Sequence, residues 1–384
     1  MNSFSYLFDL FHKVLNYKLA RRGLVKPANP ITLTFSVTNM CQSKCKTCKI
    51  WELYLNKPEL KEKELKLDEI EKIFKSMGHI YFFNISGGEP FLRKDLPDIV
   101  DLACKYLTPG VIHTPTNAIS PKLVEEGTVE ILERMKQNNR DIPFTIKPSF
   151  DGVGEKHDEI RGVKGNFERV LETLERLKKL QKKYSNLHVG IGTIISTYSI
   201  DTLKETADYA ESLNVDSYIN EIAEHRSELF NLNDPITPTP DEYEKAMEYF
   251  KEKTRHEIKT KRHLAGITQS FRLLYYDLVV KIMREKRQVL PCFASISNVH
   301  LSPYGDLWPC CILGYDKSMG NLREVEYDFK RIWYSSQAKE VREYIKKGNC
   351  YCPLANQLYN TILCNFCSVI KVIGNLINIR YLKN

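Results

Sequence analysis

No stretch of this sequence approaches the roughly 20 apolar residues that a helical membrane span requires, and it contains no internal repeat and no low-complexity tract. A helical membrane channel, a solenoid and a disordered tail are therefore not expected as organising features. A secretory signal is also missing. Residues 1–23, MNSFSYLFDLFHKVLNYKLARRG, are broken by Asp9, His12 and Lys13, and no small-residue cleavage site follows them. Charge is not one-sided: the net value of +8 over 384 residues fits an acidic substrate, a membrane surface or nucleic acid and selects none of them.

Cysteine is what the chain has in plenty. Ten of its eleven cysteines fall in two groups, one near the start and one near the end, leaving Cys104 alone. A secreted disulfide scaffold is short and follows a signal peptide. The cysteines are therefore expected to act as thiolate ligands in a reducing cytoplasm.

Strand-like runs begin at Ile31, Ile80, Val111, Phe144, Leu187 and Asp216, each short and rich in β-branched or aromatic residues. Amphipathic helix patterns lie between them. One carries Ile70, Ile73, Phe74 and Met77, another Phe167, Val170, Leu174 and Leu177. Alternation of this kind calls for a parallel sheet, either a partial barrel or a doubly wound sheet, with its chemistry on loops at the carboxyl ends of the strands. After Asn233 the run DPITPTPDEYEK marks a boundary. Two long charged helices are expected up to about Gln288, then a cysteine-rich region with short strands such as SNVHLSP and one helix over 329–347.

The first group, TNMCQSKCKTCKIW, follows directly on the first strand and spaces Cys41, Cys45 and Cys48 by three residues and then two. Structural zinc sites usually pair cysteines as CxxC and take four ligands. Three thiolates leave one iron of a four-iron cluster open to something other than protein. CxxxCxxC after a first strand resembles the signature of the radical S-adenosylmethionine (radical SAM) superfamily, although Thr47 stands where many members carry an aromatic residue. The resemblance implies that the open iron chelates S-adenosylmethionine and that reductive cleavage yields a 5′-deoxyadenosyl radical. The cofactor carries that step and the protein positions it.

Further motifs strengthen the resemblance. NISGGEPFLRKDL resembles the family's GGEP turn, which implies that Gly87, Gly88 and Glu89 receive the methionine amino group. Thr116 and Asn117 resemble its Thr-Asn-Gly turn, with Ala118 in place of the glycine. Ser149 and Asp151 fall at the end of the fourth strand and are candidates for the ribose or carboxylate, with helix capping as their competing role. Arg161 is the candidate partner of the carboxylate, and Thr193 and Ile194 are expected near the adenine. Asn220, Glu221, Glu224, His225 and Arg226 are candidate substrate contacts, although a solvated helix start explains them almost as well.

In the second group, CFASISNVHLSPYGDLWPCC places Gly305 at a hairpin turn between Cys292 and Cys310. This resembles the opening of the SPASM or twitch extension of radical SAM enzymes and implies an auxiliary 4Fe–4S cluster. Cys292, Cys310, Cys350 and Cys352 are the expected ligands, with Cys311, Cys364 and Cys367 in reserve and four-thiolate zinc as the alternative. The implied architecture is α/β: an N-terminal amphipathic helix (1–30), a partial (β/α)6 radical SAM barrel (31–235), a helical linker (236–290) and a small α+β SPASM/twitch-like domain with a C-terminal tail (291–384).

The expected cofactors are thus a SAM-binding 4Fe–4S cluster, S-adenosylmethionine and the auxiliary cluster, reduced by a donor such as flavodoxin or ferredoxin. Peptide, protein and lipid-like substrates stand nearly level, and no nucleic acid is expected. The first strand follows only about thirty residues, too few for a separate peptide-binding domain. Phe4, Leu7, Phe8, Phe11, Val14 and Leu15 instead share one helical face near Lys13, Lys18, Arg21 and Arg22, and the run VIKVIGNLINIRYLKN is apolar and basic. Such ends suit a cytoplasmic enzyme with peripheral contact to an anionic membrane, while simple docking of both segments on the barrel explains them too. A non-catalytic iron–sulfur carrier or a zinc-stabilised scaffold is the alternative function.

Overall fold

The computed structural model describes residues 3–260 and 264–382. Six runs of β-branched and aromatic residues become parallel strands: β1 (Thr32–Thr38), β2 (Phe82–Gly87), β3 (Val111–Thr116), β4 (Phe144–Pro148), β5 (Leu187–Ile195) and β6 (Ser217–Ile222). All of them start within two residues of the position expected from sequence. In β1 every residue but Thr34 is buried, the pattern of a parallel strand covered on both faces.

The helices are α1 (Ser3–Arg21), α2 (Leu53–Asn56), α3 (Leu67–Met77), α4 (Leu96–Leu102), α5 (Pro121–Gln137), α6 (Glu155–Arg161), α7 (Asn166–Gln181), α8 (Leu203–Ser212), α9 (Pro240–Thr260), α10 (Leu264–Glu285), α11 (Phe329–Trp333), α12 (Ser336–Lys346), α13 (Ala355–Cys364) and α14 (Phe366–Ile377). The apolar stripe of α3 settles on β1 and β2, where the Phe74 ring meets Phe35 and Phe83 edge-on at 6.1 and 5.7 Å.

The cysteine-rich region does not stand apart from the barrel. Its strand β7 (Asn298–Leu301) pairs in parallel with β1, and β8 (Leu307–Trp308) folds back antiparallel through Gly305 at φ +93°. One sheet results, in the order β6-β5-β4-β3-β2-β1-β7-β8. A buried ion pair fastens the same two regions. Arg323 donates to both oxygens of Glu69 on α3 at 2.7 and 2.9 Å, and the Tyr327 hydroxyl adds a third bond at 2.8 Å. The arginine above all holds the Glu69 carboxyl down at about 2. A carboxylate depressed in the fold stabilises it above the unfolded pKa and loses that contribution as pH falls through the folded one. Glu69→Gln should therefore lower stability by about 2 kcal/mol at pH 7, discounted for the part-exposed arginine. Denaturant melts should find the gap from the parent narrowing between pH 4.5 and 2.

Three expectations are corrected. The helix expected over 329–347 is two helices, because the Ser335 hydroxyl accepts from the Ala338 amide and starts α12 afresh. The expected linker over 236–290 is a wall: Tyr243, Met247 and Phe250 of α9 pack with Tyr276 and Val279 of α10 against Ile195 and Ile222 at the β5–β6 end of the sheet. The single apolar face expected for α1 divides. Leu10, Val14 and Tyr17 pack with Ile31, Phe293 and Ile296, whereas Phe11 and Leu15 are exposed. The side chains of Phe4, Leu7 and Phe8 lie outside the described residues.

Candidate active site

The first cysteine loop leaves the carboxyl end of β1 and is tied down by backbone. The Lys44 and Lys46 amides donate to the Arg161 and Ile160 carbonyls, and the Ser43 hydroxyl donates to Arg161 O and lies 3.1 Å from Cys45 Sγ. These bonds fix the loop so that Cys41 and Cys48 both lie within electrostatic reach of Cys45. Burial, then the neighbouring Cys45 charge, pushes the Cys41 thiol up to about 11 and raises Cys48 as well. Protonated at neutral pH, both must release protons on binding iron.

The GGEP turn lies directly against this loop. Gly88 N donates to Thr38 O and Glu89 N to Met40 O, both at 2.8 Å. A Cβ on Gly88 would stand 2.3 Å from Met40 O, a backbone atom next to Cys41. Gly88→Ala should therefore displace the cysteine loop and cut the rate of 5′-deoxyadenosine formation at least ~10-fold with the fold retained by circular dichroism, a loss of the size expected when a metal-site support moves.

Glu89 occupies the expected place but acts within the protein. Its carboxylate accepts from Asn117 N at 2.6 Å, Thr116 Oγ1 at 3.0 Å and Phe91 N at 3.2 Å, and burial raises it to about 7. Those bonds orient the next motif, so that Asn117 Nδ2 reaches Gln42 at 3.2 Å and Cys41 Sγ at 3.7 Å. Ala118 stands at φ +56°, the left-handed conformation that explains a glycine at this place in the family's turn.

Arg161 ends α6 beside the cysteine loop. Burial opposes its charge, and the adjacent Asp151 favours it. Nη1 meets Asp151 Oδ2 at 3.1 Å, while the buried Nε has no partner among the described residues. That free donor and the three thiols fit a cluster-bound methionine carboxylate. Asp151 is itself engaged, accepting from Ile194 N at 2.7 Å, so it positions Arg161 and β5. Thr193 is likewise satisfied internally, donating to Phe150 O and accepting from Tyr218.

Inside the barrel lies a cavity of about 470 Å³ whose wall includes Ser149, Thr193, Lys147, His113, Glu221 and Arg226. His225 turns away to the carbonyl of Asp234 at 2.7 Å, against expectation, because the loop after β6 is closed by Asn231. Glu228 and His300, not anticipated from sequence, face the cavity. Glu228 was detectable only as one more acid beside Arg226, which it approaches at 3.5 Å.

Cys292, Cys310, Cys350 and Cys352 line a second cavity, closed by Gln288, Ile282 and Leu358. Gln288 Nε2 donates to Cys350 O at 3.0 Å, and Arg21 of α1 donates to Cys292 O at 2.9 Å. The reserve cysteines are elsewhere. Cys311 faces the barrel cavity, Cys364 is buried against α1, and Cys367 is exposed.

Residues 35–210 match the family model of the radical SAM superfamily, and residues 292–354 match SPASM, an iron–sulfur cluster-binding domain. The chain is a radical SAM enzyme with a SPASM domain. The two matches together span well over half of it. The enzyme thus carries a SAM-binding 4Fe–4S cluster and an auxiliary iron–sulfur cluster, which retires the zinc and non-catalytic readings.

Among curated relatives, the radical SAM chain is 24% identical over 360 residues to AlbA of Bacillus subtilis, an antilisterial bacteriocin subtilosin biosynthesis protein, spanning 90% of this chain and 70% of that one. It is 25% identical over 307 residues to the AdoMet-dependent heme synthase of Methanosarcina barkeri, spanning 74% and 76%. Streptococcus suis SuiB, solved with its precursor peptide SuiA, shares the fold at a TM-score of 0.57 and 17% identity, covering 89% of this chain and 72% of SuiB.

Cys292→Ser should cost the radical SAM protein about four iron atoms per chain, one cluster's worth. Iron analysis would measure the loss, and the first cluster's signal should persist.

Proposed function

We propose that this enzyme abstracts hydrogen from a peptide or protein substrate held in the barrel cavity. With its cluster, S-adenosylmethionine supplies a 5′-deoxyadenosyl radical there. The observation that carries the reading is the chemistry of the wall. Lys147, Glu221, Arg226 and Glu228 bring both signs of charge into a cavity whose other lining includes Asn84, Asn298 and Asn356. Burial opposes the charge of Arg226 and the neighbouring Glu228 and Glu224 favour it, while its Nε is without a partner among the described residues. Amide-rich substrate satisfies such groups, whereas an aliphatic chain leaves them stranded at about 1–3 kcal/mol each.

Cys310 lines both this cavity and the auxiliary one, so substrate bound in the barrel lies close to the SPASM thiols. Relatives named for bacteriocin biosynthesis, and a similar fold solved with a precursor peptide, support the same substrate class. A ferredoxin or flavodoxin is the proposed reductant.

The test is 5′-deoxyadenosine formation by the reconstituted enzyme when fractions of its source cells are added. Stimulation by a peptide fraction that protease destroys supports the proposal. Stimulation confined to a protease-resistant lipid extract overturns it.

A further inference from the structure

α14 is apolar on both sides. Its inner face is used: Val372 is buried, as is Ile379 in the turn that follows, and the Ser270 hydroxyl of α10 donates to Val372 O at 2.6 Å. The outer face carries Phe366, Ile370, Ile373 and Ile377, spaced 4, 3 and 4 residues apart and therefore on one stripe of the helix, and Tyr381 extends that stripe. These five side chains are 45–74% exposed. Helices docked on a protein usually turn charged residues outward, and a contiguous exposed apolar patch marks an interaction surface.

The stripe continues on α1. Lys18 lies 5.8 Å above the Phe366 ring, and Leu15 and Phe11, one and two turns earlier, are 46% and 65% exposed. Charge along the chain around α14 has one sign, whereas on α1 Asp9 pairs with Lys13. Residues 344–384 contain five Lys or Arg and no Asp or Glu. Lys371 stands exposed beside the stripe, and Arg380 is held at its end by a bond to Ile258 O. No single helix among the described residues is long and apolar enough to cross a membrane; α13 and the segment Phe366–Tyr381 reach that length only as a pair bent by 96°, and α13 is largely buried in the protein. A helix that cannot span, with aromatic and isoleucine side chains outward and basic residues at its flanks, has the character of one lying in the plane of a lipid interface.

We propose that the α1–α14 face docks the enzyme on an anionic membrane surface, with Phe366, Ile370 and Ile373 entering the acyl boundary and Lys18 and Lys371 meeting lipid headgroups. A second copy of the chain is the rival occupant. It is disfavoured because a symmetric contact would bring the basic flanks of two α14 helices together.

The experiment uses the full-length reconstituted enzyme and vesicles of phosphatidylcholine alone or with one quarter phosphatidylglycerol, read by sedimentation. The expected result is binding to the anionic vesicles and little to the neutral ones. Phe366→Gln/Ile370→Gln/Ile373→Gln should weaken binding at least 10-fold while 5′-deoxyadenosine formation in vesicle-free solution is unchanged. Lys371→Glu, which leaves the apolar stripe whole, should weaken it several-fold and reduce its salt dependence. Absence of wild-type binding, equal binding to neutral vesicles, or full binding by the triple variant would overturn the proposal. So would a concentration-dependent dimer that the triple variant dissolves in a protein that ignores vesicles.

Discussion

Cys45→Ala protein, purified and reconstituted without oxygen, should form no 5′-deoxyadenosine above the blank, a loss beyond the roughly 10–100-fold that removing an outer-shell partner costs a metal site. Cys45 is the central thiol of its loop. Its carbonyl accepts from the Cys48 amide at 3.2 Å, its sulfur lies 3.1 Å from the Ser43 hydroxyl, and its charge acts on both Cys41 and Cys48. Two thiolates cannot hold the cluster with one iron free for cofactor. Iron and the SPASM cluster signal should survive in part, since the second thiol group lines a separate cavity. Product formation by this variant at the parent's rate would mean that the first loop is not the catalytic one.

Arg161→Met should have nearly as large an effect, in two separable parts. Asp151, whose side chain is 3% exposed, would keep its charge and lose its partner, a change that costs about 3–5 kcal/mol when a buried pair is broken from one side. The free Nε donor proposed for the methionine carboxylate would also be gone. Adding Asp151→Asn should restore most of the stability, because the stranded charge is removed. It should not restore affinity for S-adenosylmethionine. Thermal melts and cofactor titration of the single and double variants measure the two parts independently. Recovery of affinity along with stability would make Arg161 structural only.

Much of this was legible in the sequence, and the division between what was and what was not is physical. Strands β1–β6 declare themselves through short runs rich in β-branched and aromatic residues, nearly all buried in β1 and alternating buried with half-buried positions in FTIKP of β4. The cysteine loop is legible because its ligands are local. The four cysteines named as SPASM ligands line one cavity although Cys292 and Cys352 are sixty residues apart, and the hairpin at Gly305 is the part of that closure visible in sequence.

What escaped was non-local or depended on which way a side chain turns. Nothing near Asn298 says that its strand pairs with β1, and nothing near Glu69 points to Arg323. Glu89 and Thr193 lie where expected, but their polar atoms bond to the protein, a distinction only three dimensions provide. His225 and Arg226 are chain neighbours, yet one caps a loop outside and the other faces the cavity.

The pairing of β1 with β7 also sets an order of events during synthesis. β1 carries the catalytic loop at its end, but its second edge is satisfied only when residues 298–301 arrive. At about 5–20 residues per second that wait lasts roughly 13–50 s. Throughout it the strand Thr-Leu-Thr-Phe-Ser-Val-Thr presents a bare, β-prone edge, the kind of surface that recruits other chains. The nascent enzyme is thus most exposed to aggregation before its second cysteine group exists, and lowering the number of chains in synthesis at once should favour soluble protein.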